Sequence, residues 1–205
     1  MEIPVTLTLI FANVAFSIWA FYSNPVYFER FSEWPYQIIH ERRYYQMLTS
    51  AFLHANYIHL FFNMFTLYMF GSYLERLFVA NEGVVNGRID FFLIYFISLL
   101  FGSLVTLIFR FKNSSYQAVG ASGAVSGIVF SYIVFEPFSK IFVFFVPVPA
   151  FVFAFLYVGV SIYGMKSKFG HIGHEAHLGG AIAGLVSTFV LIDGSFRYFI
   201  NHFKF

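Results

Sequence analysis

FFLIYFISLLFGSLVTLIF, residues 91–109, runs from Asp90 to Arg110 without one charged side chain. A transmembrane helix needs about 20 apolar residues to cross the hydrocarbon core, and this stretch supplies them. The whole chain shares its character. Of 205 residues, 59% are apolar, 23% aromatic and only 11% charged, with 32 Phe and 14 Tyr. A soluble domain carries about 25% charged residues, so this chain lacks the polar surface to cover itself in water. The composition therefore reads as an integral membrane protein. It excludes intrinsic disorder, a secreted disulfide scaffold (there is no Cys) and a free-standing nucleic-acid binder, since a net charge of +2 draws no polyanion.

The same test finds five more intervals free of charge: Ile3–Phe28, Tyr44–Leu74, Asn113–Phe135, Ile141–Met165 and Ala176–Ile192. Pro147 and Pro149 would break a helix, which moves the start of the fifth span to Ala150 and leaves Ile141–Pro149 as an extended loop at the membrane surface. The expectation is an all-α, polytopic membrane bundle of six transmembrane helices in a single domain, 1–205. Its spans lie near 3–22, 55–76, 91–109, 119–135, 150–166 and 175–193. The first span follows Met1 and Glu2 with no basic region, so it reads as a retained helix and not a cleaved signal. Residues 23–43, with Trp34 and both signs of charge, read as an interfacial loop, and Phe196–Phe205 as an amphipathic interfacial end. Six spans place both termini on one side. The basic residues then divide five to seven, with Arg76, Arg88, Lys140, Arg197 and Lys204 on the side of the termini, which gives no usable orientation signal.

Polar side chains inside spans are costly and need a reason. They gather in three places. Span two carries His54, His59 and Asn63; span four opens with Gly120-Ala121-Ser122-Gly123; span six opens with His174-Glu175-Ala176-His177 followed by Gly179 and Gly180. Even-numbered spans run in one direction, so residues near their N-terminal ends share one leaflet. His59 and Asn63, four apart, stack on one helix face. Gly123 with Gly127, and Gly180 with Gly184, are small-xxx-small pairs that let spans four and six approach closely. His177 lies on the stripe of Gly180 and Gly184, so its imidazole points into that approach, beside the hydroxyl of Ser122.

Together these motifs resemble rhomboid intramembrane serine proteases of the bacterial, six-helix type. Gly120-Ala121-Ser122-Gly123 matches their GxSG, His59 with Asn63 matches HxxxN, and Ala176-His177 followed by Gly180 and Gly184 matches AHxxGxxxG, all in the expected order. PVPAFVFAFLYVGVSIYG, residues 147–164, also looks like the start of the fifth helix in bacterial members. The resemblance implies that Ser122 is the nucleophile and His177 the general base of a dyad. It implies that His59 and Asn63, with the backbone at Gly120 and Ser122, hold the oxyanion, that His54 orders the loop and water nearby, and that Gly123, Gly180 and Gly184 are structural. It further implies an endopeptidase that forms an acyl-enzyme, needs no cofactor or metal, takes transmembrane proteins as substrates, binds no nucleic acid and resides as a multi-pass protein in a bacterial inner membrane.

Two positions depart from the family pattern. Tyr45-Gln46 stands where many members have Trp-Arg in the first loop, and Ser126 stands where several place a Tyr that stacks on the base. Two other readings remain open from the residues. One is a non-catalytic rhomboid-like binder of membrane proteins; retention of both Ser122 and His177 argues against it. The other is a metal site built from His171, His174 and His177 with His54 and His59, for which Glu175 is the one carboxylate at hand.

Overall fold

In hydrocarbon a backbone must satisfy its own N–H and C=O groups, which leaves apolar segments of this length the helix. The computed structural model describes residues 2–143, 145–166 and 173–204. Its helices are α1 (Pro4–Tyr22), α2 (Pro25–Phe31), α3 (Pro35–His40), α4 (Gln46–Thr49), α5 (Tyr57–Thr66), α6 (Ser72–Glu82), α7 (Val84–Arg110), α8 (Ser122–Phe135), α9 (Ala150–Lys166), α10 (His174–Leu191) and α11 (Ser195–Asn201). The fold is all-α, a bundle of apolar helices, with one antiparallel hairpin among the described residues, β1 (Lys140–Val143) with β2 (Val146–Pro149). By length and apolarity α1 and α7 can each cross a bilayer alone, and α10 with α11, bent by 109°, can do so as a pair. Large apolar side chains such as Phe11, Phe61 and Phe155 point outward, as a lipid-facing surface requires.

The charge-free intervals locate the helices but misplace several ends. Span two, expected over 55–76, is α5 and α6 joined by a π turn, Leu67–Gly71, and it continues to Glu82. Glu75 does not end it, because the carboxylate is buried and used. Its oxygens accept the Val5 N–H at 3.0 Å, the Thr6 N–H at 2.8 Å and the Thr6 hydroxyl at 2.7 Å, so an anion sits at the positive end of α1. Likewise α7 begins at Val84, seven residues ahead of the expected 91, with Arg88 and Asp90 inside it. Span four starts at Ser122, not 119. The interval 23–43 is no plain loop but holds α2 and α3, each with Pro at its first position, where a missing N–H is harmless. Of the expected loop Ile141–Pro149, residues 141–143 pair with 146–148 in the hairpin, and the helix after it begins at Ala150, as expected from the two prolines. The C-terminal end is α11, folded back so that Tyr198 packs on Phe135 of α8.

At the centre α10 lies against α7 and α8 with almost nothing between the backbones. A methyl group added at Gly180 would strike the Gly123 carbonyl, and one at Gly184 would strike the Gly127 carbonyl. On the other side, a methyl at Gly102 of α7 would stand 2.7 Å from the Ala176 carbonyl oxygen, and one at Gly179 would stand 3.0 Å from the Gly102 Cα. Dispersion across such close contacts is what holds apolar helices together where lipid competes for every side chain.

Gly180→Ala should therefore destabilise the fold by about 1–3 kcal/mol through overpacking. Gly159→Ala, at a position with nothing within 4 Å, should be neutral or gain up to about 1 kcal/mol in helix propensity. Thermal unfolding of both variants in detergent micelles checks the contrast.

Candidate active site

The close packing of α8 and α10 fixes where their N-terminal ends meet. Ser122 is the first residue of α8, outside the helix ladder at its N–H. The turn before it depends on Gly120, whose φ of +129° suits only glycine and whose bare α-carbon lies against the His59 ring; a methyl there would come within 2.6 Å of His59 Cε1. The Gly120 N–H donates to the Ser50 carbonyl at 3.0 Å. His59 sits in the first turn of α5, where the Asn56 side chain caps its N–H at 2.8 Å. One turn on, Asn63 donates from Nδ2 to the His59 carbonyl at 3.0 Å and keeps a second N–H free of that bond.

A cavity of about 830 Å³ gathers Ser122, His177, His59, Asn63 and Gly120 in its wall. Its wall includes the exposed residues Asn56 and Gln117 as well as the buried apolar side chains of Val129 and Phe130. Ser122 and His177 are both half-buried and face this common space without a hydrogen bond between them. Gly123, Gly180 and Gly184 lie behind the wall in the α8–α10 contact. His54 is also behind it, fully buried, with its ring 5.1 Å from that of His59. The Ser17 hydroxyl donates to the Phe52 carbonyl at 3.0 Å, so its oxygen accepts from His54 Nδ1 at 2.8 Å, tying this ring to α1.

Glu175 is turned to other work. Its Oε1 takes the Arg110 guanidinium at 2.5 and 2.7 Å, pinning α10 to the end of α7. His171 lies outside the described residues, and among the described residues no three His, Cys, Asp or Glu side chains gather as a metal site would require.

The two departures in sequence acquire partners. Gln46 is fully buried; its Oε1 accepts the Trp34 N–H at 3.3 Å and its Nε2 donates to the Arg30 carbonyl at 3.1 Å, so it anchors the segment carrying α2 and α3. Ser126 donates to the Ser122 carbonyl at 2.6 Å and also meets the Tyr157 hydroxyl, and the Tyr157 ring lies on His177. Sequence reasoning gave Tyr157 no role: it lies within the quoted stretch 147–164, but nothing there singles it out, and it comes from a different helix. The same reasoning also missed the strap that holds the turn before Ser122. Glu33 and Ala118 exchange backbone hydrogen bonds at 2.9 and 3.0 Å, and Trp34 Nε1 donates to the Ser114 carbonyl at 2.9 Å.

The Rhomboid domain family profile matches residues 41–194, which takes in every residue of this cavity motif set. The chain belongs to the rhomboid family. Among curated relatives, it is 30% identical over 165 residues to RHOMBOID-like protein 12, mitochondrial, of Arabidopsis thaliana, covering 76% of this chain and 49% of the relative. It is 32% identical over 146 residues to Rhomboid protein 1, mitochondrial, of Saccharomyces cerevisiae, covering 68% and 40%. It is 34% identical over 92 residues to Rhomboid-like protease 1 of Toxoplasma gondii, covering 45% and 28%. The chain thus spans about half the length of these relatives or less. Rhomboid proteins are generally intramembrane serine proteases acting on membrane proteins in a bilayer, and some rhomboid-like members are not catalytic. This rhomboid is accordingly an integral membrane protein.

The strap carries a titratable group. The Glu33 carboxyl is buried and receives the Ser103 hydroxyl at 2.5 Å; burial pushes it up to about 8, against the smaller opposing effect of that hydrogen bond. Below its unfolded value near 4.5 the carboxyl is protonated in both states. Between that value and about 8 only the folded state keeps the proton, so stability falls as pH rises through this window. Glu33→Gln should flatten the dependence and raise the unfolding temperature at pH 8 by several degrees more than at pH 5, read by thermal unfolding across pH.

Proposed function

We propose that this rhomboid is an intramembrane serine endopeptidase that cuts peptide bonds in or next to the transmembrane helices of membrane-protein substrates. The supporting observation is that Ser122 and His177, from two helices locked backbone to backbone, share the wall of one cavity with His59 and Asn63. In this reading His177 takes the proton from Ser122 Oγ as the oxygen attacks the scissile carbonyl. The oxyanion is held by the Ser122 backbone N–H and the side chains of His59 and Asn63; the Gly120 N–H, expected from the sequence to join them, is engaged by the Ser50 carbonyl, so the turn at Gly120 supports the site without donating to it. His177 returns the proton to the leaving amine, and water entering past the exposed Asn56 and Gln117 hydrolyses the acyl-enzyme. A helical substrate hides its amides in its own ladder, so it must unwind locally, and small or helix-breaking residues near the scissile bond are the expected preference. The reaction needs no metal or organic cofactor.

The proposed topology has six spans: α1; α5 with α6; α7; α8; α9; and α10, in one membrane domain. For the membrane itself, the resemblance of residues 147–164 supports a bacterial inner membrane, while two of the named relatives are mitochondrial; fractionation of the native host decides between them.

A non-catalytic binder has one observation in its favour, the absence of a Ser122–His177 hydrogen bond. Catalytic hydrogen bonds are often loose before substrate arrives, so this does not outweigh the shared cavity. A fluorophosphonate or isocoumarin separates the two: it should label the wild type and not Ser122→Ala. With a generic transmembrane substrate, Ser122→Ala and His177→Ala should abolish cleavage, Asn63→Ala should lower kcat by about 10²–10³ as expected for one oxyanion donor, and His174→Ala should have a small effect. Full cleavage by Ser122→Ala would refute the proposal.

A further inference from the structure

We propose that Tyr157 of α9 is the positioning residue for the His177 base, which makes alignment of the base depend on the docking of α9. This rests on the peptidase reading and names a further component of the same site.

The ring planes of Tyr157 and His177 lie 26° apart with centroids at 6.0 Å, a stacked arrangement. Such a face restricts rotation of the imidazole about its last torsion, which is otherwise broad. His177 needs a restraint of this kind, because among the described residues no carboxylate pairs with it: Glu175, two residues before it, turns its Oε1 to Arg110.

The Tyr157 ring is itself held. Ser126 carries one hydroxyl proton and gives it to the Ser122 carbonyl, so in the short Ser126–Tyr157 contact the tyrosine hydroxyl is the donor. The ring is thereby tied to the helix of the nucleophile at one end, while Phe130 and Phe153 pack on it at 5.5 and 5.6 Å. One hydrogen-bonded path then runs from Tyr157 through Ser126 to the carbonyl of Ser122.

A second contact shows that α9 is shaped to fit these histidines. Seven residues beyond Tyr157, on the same face, Gly164 receives the His174 ring so closely that a methyl group there would overlap it. Tyr157 and Gly164 thus meet His177 and His174, which are themselves three apart on α10. A shift of α9 along or away from α10 would remove the ring from the base.

The test uses full-length protein in proteoliposomes, with kcat and KM measured on a transmembrane substrate and fluorophosphonate labelling followed alongside. Tyr157→Ala should lower kcat by between about ten- and a hundredfold, the scale of a misplaced catalytic group, with KM nearly unchanged. Tyr157→Leu, which fills volume without offering a ring face, should fall as far. Tyr157→Phe and Ser126→Ala keep the ring and lose its tether, and should show the same milder loss. The double variant Ser126→Tyr with Tyr157→Ala, which returns an aromatic ring from α8, should recover most of the lost kcat. Wild-type kcat in Tyr157→Leu, a loss confined to KM, or no recovery in the double variant while it unfolds at the wild-type temperature would overturn the proposal. A wild type that neither cleaves nor labels would bring down the peptidase reading and this inference with it. A wild type that labels at Ser122, with Tyr157 variants unaffected, would remove this inference alone.

Discussion

Everything at the centre of this molecule depends on how near one backbone can come to another. In lipid, a larger apolar side chain gains nothing by turning inward, because hydrocarbon surrounds it either way. What remains is contact density, and that grows where side chains are absent. Gly180 on Gly123 and Gly184 on Gly127 let α10 settle onto α8, while Gly102 admits Ala176 from the opposite side. The spacing that permits this contact also sets the register. With Gly180 seated, His177 is placed one turn toward the N-terminus, which is where α8 begins and Ser122 stands. Packing and chemistry are thus one constraint on this helix pair.

The first residues of α8 also require support from outside the bundle core. The segment 111–121 contains no helix, and its backbone groups must find partners elsewhere. They find them in the segment carrying α2 and α3, through Glu33 and Trp34, and in the carbonyl of Ser50, just after α4. That segment is in turn anchored inward by Gln46, and by Glu33 through Ser103 of α7. A burial-favoured proton on Glu33 makes sense there, because a neutral carboxyl can lie under the strap with a single hydroxyl for company. What composition presents as an amphipathic surface loop is a brace for the turn at Gly120.

The sequence disclosed the parts whose physical signal is local. Absence of charge marked every long helix, the prolines at 147 and 149 marked the start of α9 at Ala150, and the small-xxx-small pairs marked the α8–α10 contact. It misled where a charge was satisfied by tertiary structure. Glu75 reads as the end of a span until the N-terminus of α1 arrives to occupy it, and Arg88 beside that carboxylate lies inside α7 for the same reason. Tyr157 and Gln46 were illegible because each acts through a partner remote in sequence: Tyr157 on a histidine twenty residues on, Gln46 on the carbonyl of Arg30 and the N–H of Trp34. Neither relation has a spacing that can be read from one chain.

Ser126 shows how a departure from a family pattern should be weighed. Several family members place an aromatic side chain at that position; here there is a hydroxyl, and taken alone it reads as a loss. In three dimensions the hydroxyl is the socket for an aromatic residue supplied by the neighbouring helix. What an imidazole base demands is a flat face and a fixed orientation, and both α8 and α9 border the space where that face must lie. A serine is small enough to admit the ring from α9, whereas a tyrosine at the same place would fill that space from α8. The two arrangements exclude one another sterically, and under the proposed mechanism they differ in one consequence. A ring on α8 would move with Ser122, whereas a ring on α9 ties His177 to a helix that exposes Phe155, Leu156 and Tyr163 on its outer side.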